Sequence, residues 1–134
     1  MANRFKDVTE ISAGRHAVVM GRDALQLMDR ELAGGDFSAC FILGDENTLR
    51  HCLPELLAQV PRLRDARTLV VPPGEASKDL AMASDIWNHL ASEAADRQAL
   101  LVCLGGGVVT DLGGFVAAAY KRGIRCIHIP TTLM

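Results

Sequence analysis

The sequence predicts an α/β fold, an open and mostly parallel sheet with helices on both faces. Three observations carry this reading. Short continuous apolar runs recur along the chain, segments with apolar residues at helical spacing separate them, and glycine, proline or acidic residues close nearly every run. Strand–helix alternation of this kind builds a parallel sheet covered on both sides. At 134 residues the chain has the length of one domain, on the usual scale of ~100–200 residues. No linker, internal repeat or low-complexity tract divides it.

Taken in order, His16 to Met20 reads as a short strand that pairs with Val8 to Ile11 across Ser12-Ala13-Gly14. Leu25, Met28 and Leu32 recur at helical spacing, and Gly34-Gly35 stops that helix. Ala39 to Leu43 is a continuous apolar run closed by Gly44-Asp45, as suits a strand buried on both faces. Leu49, Leu53, Leu56 and Val60 mark the next helix. Pro54 cannot sit deep inside it, so the sequence predicts a turn over Glu46 to Cys52 and a main helix from Pro54. Thr68 to Val71 is a strand ended by Pro72-Pro73-Gly74. Leu80, Ala83, Trp87, Leu90 and Ala94 form a clean helical stripe. Ala99 to Leu104 is a further strand, Val108 to Tyr120 a helix rich in small residues, and Arg125 to Ile129 a last strand stopped by Pro130.

Composition narrows the function classes. Apolar residues make up 49% and charged residues 22%, with a net charge of −2, the profile of a soluble globular protein rather than a disordered one. A near-neutral balance gives no footprint for nucleic acid or an anionic membrane. The longest uncharged run, Gln98 to Thr110, falls short of the ~18–20 apolar residues that span a bilayer. The first residues, Met1 to Asp7, hold no apolar segment of the secretory kind. Cys40, Cys52, Cys103 and Cys126 form no Cys-x-x-Cys pair and read as reduced core cysteines of a cytoplasmic protein. His16, His51, His89 and His128 share no metal-ligand spacing, so no metal site is expected among these residues.

In open α/β sheets the ligand site lies beyond the carboxyl ends of the strands. The strongest local signal there is Leu101-Val102-Cys103-Leu104-Gly105-Gly106-Gly107-Val108-Val109-Thr110-Asp111, a buried strand running through three glycines directly into a helix. Glycines let backbone N–H groups approach a phosphate, and the helix N-terminus adds about half a positive charge. The same residues also fit a tight turn that merely packs well, and Thr110 stands where the G-x-G-x-x-G fingerprint ends in glycine. Asp45-Glu46-Asn47 fits a ribose-binding acid, although it precedes the glycine loop instead of following it. Taken alone it reads as a helix N-terminus with its capping residues. Pro73-Gly74-Glu75-Ala76-Ser77-Lys78 places a carboxylate and an ammonium three residues apart, most simply as a surface ion pair.

Taken together, the motifs Pro-Gly-Glu-x-x-Lys at Pro73 to Lys78, Gly-Gly-Gly-Val-Val-x-Asp-Leu-x-Gly-Phe at Gly105 to Phe115, Tyr-x-Arg-Gly-x-Arg at Tyr120 to Arg125 and Pro-Thr-Thr-Leu at Pro130 to Leu133 resemble the N-terminal domain of the 3-dehydroquinate synthase family, within the sugar-phosphate cyclases. Thr110 departs from the glycine usual at its position. The resemblance implies a Rossmann-like NAD-binding domain over residues 1–134, the N-terminal part of a two-domain dehydroquinate synthase-like fold. It implies conversion of a seven-carbon keto sugar acid phosphate to 3-dehydroquinate plus phosphate, a step of the shikimate pathway to aromatic amino acids.

The resemblance also implies residue roles. Asp45 and Asn47 would meet the adenosine ribose, with Gly74, Glu75 and Lys78 closing over it. Gly106, Gly107 and Val108 would give backbone contacts to the pyrophosphate, continued by Val109 and Thr110. Asp111 would sit near a ribose hydroxyl, and Thr131 and Thr132 would line the same cleft. Arg122 resembles an arginine that crosses a homodimer interface toward the partner subunit's substrate phosphate. A divalent metal, zinc or cobalt, with its ligands, the catalytic lysines and a helical second domain are expected beyond Met134. The chain alone is therefore expected to be inactive. Alternatives are another sugar-phosphate cyclase, a metal-dependent polyol dehydrogenase, or a non-catalytic nucleotide-binding module.

Overall fold

The computed structural model describes residues 7–132. The chain opens with β1 (Thr9–Ala13) and β2 (His16–Met20), then α1 (Ala24–Ala33) and β3 (Cys40–Asp45). Two short helices, α2 (Glu46–His51) and α3 (Leu53–Gln59), lead to β4 (Arg67–Val71) and α4 (Leu80–Ser92). Then come β5 (Leu100–Gly105), α5 (Gly107–Ala119) and β6 (Arg125–Pro130). Strands β4, β3, β5 and β6 lie side by side in that order, all parallel. The β1–β2 hairpin forms a separate antiparallel pair in the expected partnership, from Thr9 opposite Met20 to Ala13 opposite His16. Both strands run up to a tight turn at Gly14, whose φ of +63° suits a residue without a Cβ.

Alternating side chains of the central strands feed two cores. On one face Phe41, Leu43, Leu101 and Cys103 are buried with Ile86 and Leu90 of α4 and with Val109, Leu112 and Val116 of α5. On the other, Ile42, Leu100, Val102 and Leu104 meet Leu56 and Val60, with Leu25, Met28 and Leu32 of α1 packed around them. Burial on both sides explains why β3 and β5 read as continuous apolar runs rather than alternating ones. Among the described residues no helix is long and apolar enough to cross a membrane.

The turn expected over Glu46 to Cys52 is instead the helix α2, with α3 following from Leu53. Its start is fixed by a reciprocal cap. The Thr48 N–H donates to Asp45 Oδ1 at 2.8 Å, and the Asp45 N–H donates to Thr48 Oγ1 at 3.1 Å. That pairing satisfies two otherwise orphaned donors and starts a helix ahead of Pro54. Pro54 then sits in the first turn of α3, where its missing N–H has no helical partner to lose.

Helix α5 lies close against β5 because Gly113 faces the sheet. A Cβ on Gly113 would overlap the Cys103 sulfur and approach Leu43 Cδ2 to 3.1 Å. The Trp87 indole N–H donates to the Val116 carbonyl at 3.1 Å, and the buried Tyr120 hydroxyl donates to the Ala95 carbonyl at 2.7 Å. The first bond joins α4 to α5, and the second ties the residue that follows α5 to the turn that follows α4. Gly113→Ala is accordingly expected to cost about 1–3 kcal/mol by overpacking. Gly114→Ala, whose Cβ would meet His128 Cε1 only at 3.4 Å, is expected to be neutral or to gain up to about 1 kcal/mol of helix propensity. Urea unfolding midpoints of the two variants beside the parent check the contrast.

Candidate functional site

The strand order sets where a ligand can sit. From β3 the chain crosses by α2 and α3 to β4 on one side, then returns by α4 over the opposite face to β5 on the other side of β3. Connections leaving in opposite directions open a crevice between the carboxyl ends of β3 and β5, the topological switch point of such sheets. In this order the glycine loop follows the third sheet strand in sequence. That explains why Asp45, at the end of the first, precedes it.

A cleft of about 490 Å³ occupies that position. Asp45 and Thr48 line it from the end of β3 and the start of α2, and Gly74 and Glu75 from the loop after β4. Gly106, Gly107, Val108, Val109 and Asp111 line it from the β5–α5 junction, and Thr131 and Thr132 from the segment after β6. Segments from four parts of the sequence thus meet at one end of the sheet. A larger opening of about 740 Å³ lies between β2, α1 and β6. Ala17, Val19, Leu25, Met28, Ile127 and Ile129 give it an apolar lining, and the start of α1 at Ala24 also opens on it, without the glycine junction that leads into α5.

The glycine junction is held from several sides. The Thr131 N–H donates to the Gly105 carbonyl at 3.0 Å, and the Thr110 N–H donates to that of Gly106 at 3.1 Å. The Thr110 hydroxyl donates to the Gly106 and Gly107 carbonyls, each at 3.2 Å. Thr110 therefore braces the loop from behind instead of lining the cleft. A Cβ on Gly106 would lie 3.1 Å from Thr132 Oγ1, and one on Gly105 would lie 2.7 Å from Val109 Cβ. Helix α5 has no side-chain cap and no acidic residue in its first turn. Its leading N–H groups, which have no helical partners, open into the cleft with the positive end of the helix dipole. The neighbouring α2 and α4 are capped by Asp45 and Asp79.

Asp45 spends Oδ1 on the α2 cap, and a carboxylate keeps further acceptor capacity beyond one such bond. Asn47 is exposed on α2 and does not line the cleft. Gly74 has φ of +105°, a backbone state that favours glycine. The loop after it is pinned by the buried Ser77, whose hydroxyl donates to the Pro72 carbonyl at 2.5 Å. Lys78 pairs with Asp111 at 2.7 Å, not with Glu75 as sequence proximity suggested. Its ammonium is held above its ordinary pKa by the Asp111 hydrogen bond and charge, with Glu75 adding to the effect. The contact is solvent-exposed, so it orients the two rims of the cleft more than it stabilises the fold.

Arg122 lies at the opposite end of α5, which spans roughly 20 Å at 1.5 Å per residue. It is exposed. Lys121 and Arg122 both take positive φ, 46° and 69°, at a cost of about 1 kcal/mol or more each for residues bearing a Cβ. The buried Tyr120 anchors this corner. One grouping was missed by the sequence reading: Cys103, Cys126 and His128 place their ligand atoms within 4.8 Å of one another. Cys126 and His128 are two apart on one strand and so share a face, a signal that was available. Their third member comes from the adjacent strand.

A family model described as the N-terminal region of 3-dehydroquinate synthase matches residues 68–134, half of the chain. The 3-dehydroquinate synthase of Parabacteroides distasonis is 43% identical over 117 residues, covering 87% of this chain and 33% of that protein. That of Alkaliphilus oremlandii is 34% identical over 129 residues, covering 94% of this chain and 35% of that protein. The chain thus spans about a third of the length of the curated relatives it matches. In three dimensions it resembles 2-deoxy-scyllo-inosose synthase, solved with carbaglucose-6-phosphate, NAD+ and Co2+, at a TM-score of 0.80 and 21% identity, over 93% of this chain and 35% of that one. At that identity the likeness establishes the fold. By family match and fold together, this chain belongs to the 3-dehydroquinate synthase family and corresponds to its N-terminal region.

Proposed function

We propose that the cleft binds NAD and that the chain is the nucleotide-binding part of a 3-dehydroquinate synthase, which turns a seven-carbon keto sugar acid phosphate into 3-dehydroquinate and phosphate. The observation that carries this reading is the uncapped start of α5, which opens, behind Gly105 and Gly106, into a cleft shared with Asp45, Thr131 and Thr132. The donors suit a diphosphate, since backbone N–H groups at a helix start and small residues around them favour close approach of an anion. The Asp45 carboxylate, on the far side of the same cleft, accepts from a ribose hydroxyl. Asp111, fixed by Lys78, offers a second acceptor at the rim, and Gly74 and Glu75 form the edge that closes over the ribose.

NAD supplies a hydride acceptor for a secondary alcohol, and the chain's own part is to hold and orient it. The divalent metal, zinc or cobalt, belongs in this reading to ligands outside the chain, as do the groups that move protons on the substrate. Arg122 serves a partner subunit in a homodimer, its guanidinium directed at the substrate phosphate away from its own chain's cleft. The compartment proposed is the cytoplasm.

Calorimetric titration of the chain with NAD tests the cleft. Gly107→Val, at an exposed position of the first helical turn, is expected to weaken NAD binding by roughly tenfold or more, the loss of about one hydrogen bond to a charged group. Its thermal unfolding should match that of the parent. Equal affinity in the variant would reduce the glycine loop to a turn.

A second expectation concerns Arg122 in a full-length enzyme carrying this segment. A helix-end cation is served equally by Lys, whereas bidentate phosphate binding is not. Arg122→Lys is expected to lower kcat/KM by roughly tenfold or more with NAD affinity unchanged. Wild-type kinetics would return Arg122 to the role of a helix-end charge.

A further inference from the structure

We propose that Cys103, Cys126 and His128 form a binding site for a thiophilic divalent cation, zinc foremost, with a fourth coordination position open to solvent. The site follows from the sheet register. Strands β5 and β6 run parallel with Leu101 beside Cys126 and Cys103 beside His128. Residues two apart point to the same face, so all three donors project toward α5. The Cys103 and Cys126 sulfurs lie 3.7 Å apart, and the Cys126 sulfur lies 3.7 Å from His128 Nε2. A tetrahedral zinc with bonds of about 2.3 Å to sulfur and about 2.0 Å to nitrogen requires S···S near 3.8 Å and S···N near 3.6 Å. Both distances fall within a few tenths of an ångström of those lengths, and all three ligand atoms lie within 4.8 Å of one another.

Helix α5 crosses these donors with Gly113 and Gly114, which place no side chain over them. Gly113 lies directly over the Cys103 sulfur, and Gly114 faces the His128 ring at 3.4 Å from where its Cβ would stand. Cys103 is buried, Cys126 half-buried and His128 exposed. The site is therefore anchored in the core at one end and reachable from solvent at the other.

A disulfide is the obvious competitor, and the register disfavours it. Two strands about 4.8 Å apart with partners offset by two residues put the two cysteine Cα atoms about 8 Å apart, outside the ~4.4–6.8 Å that a disulfide spans. Sulfurs that face each other at this separation can share an ion without moving either strand.

Charge and protons balance as well. Binding of M2+ forms two metal–sulfur bonds and one metal–nitrogen bond to neutral His128, and both thiol protons leave to solvent. The resulting unit of two thiolates, an imidazole and M2+ carries no net charge, which suits a half-buried position. Sulfur donors select zinc, cadmium or cobalt over magnesium and calcium.

The test is titration of the reduced chain, in a phosphine reductant, with Co(II) as an optical probe and then with Zn(II). One equivalent of Co(II) is expected to produce thiolate-to-cobalt charge-transfer absorption in the near ultraviolet together with tetrahedral visible bands. One equivalent of Zn(II) should bleach both. Cys126→Ser should abolish the charge-transfer signal or cut it by about half, and His128→Gln should weaken zinc binding by roughly tenfold or more. A Cys40→Ser, Cys52→Ser double variant should keep the full signal. His128 is exposed, so its variant carries the test if Cys126→Ser folds poorly. The proposal is overturned by a parent that shows no thiolate band, or by zinc affinity unchanged in His128→Gln.

Discussion

The parallel pairing of β3 with β5 is the constraint on which the rest of the structure depends. These strands are not neighbours in sequence; β4 and α4 lie between them, and β4 ends up on the far side of β3. The pairing brings Cys40 beside Leu100 and Leu43 beside Cys103, and it sets Gly44-Asp45 next to the glycine loop. Phe41, Ile42, Leu43, Leu100, Leu101 and Val102 along the two strands are all but completely buried. Each such side chain contributes about 1.5–3 kcal/mol of burial. A polar substitution at any of them would weaken both cores and the crevice at once.

The cleft inherits its chemistry from this scaffold more than from individual side chains. Its anion-favouring part is backbone, the start of α5 left without a cap, and its side-chain donors and acceptors come from the ends of three other strands. Bracing falls to groups that do not line it: Thr110 from behind the loop, Ser77 beneath the Pro72 turn, and Lys78 across the rim to Asp111. This division leaves the lining small and open while the support is distributed around it. The far end of α5 is organised differently. There a buried Tyr120 and two residues with positive φ present Arg122 to solvent, well away from the cleft at the other end of the helix.

Much of this was legible in the sequence because burial on both faces writes an unbroken apolar run, as in Ala39 to Leu43 and Ala99 to Leu104. Helices α1, α4 and α5 were legible from their stripes. The start of α2 was legible in Asp45-Glu46-Asn47, but its extent was not, because the capping box closes with Thr48 rather than the usual Glu or Gln and Pro54 drew the main helix downstream. The membership of the cleft was largely readable once the motifs were recognised, although Asn47, Lys78 and Thr110 fall outside its lining. Pairings between distant residues stayed hidden. Lys78 with Asp111 and Cys103 with Cys126 and His128 depend on strand order and register, which local spacing does not encode. The backbone strain at Lys121 and Arg122 was equally unreadable, since neither residue type announces a left-handed turn.

Amide hydrogen exchange of the chain with and without NAD tests the central claim most directly, that the switch point between β3 and β5 is the nucleotide site. The account predicts slowed exchange confined to the carboxyl end of the sheet: the start of α5 from Gly106 to Thr110, the Asp45 to Thr48 turn, and Thr131 with Thr132. Exchange in the β1–β2 hairpin and around Arg122 should stay as it was. Protection centred instead on the apolar opening between α1 and β6, or none at the glycine loop with NAD at saturating concentration, would contradict it.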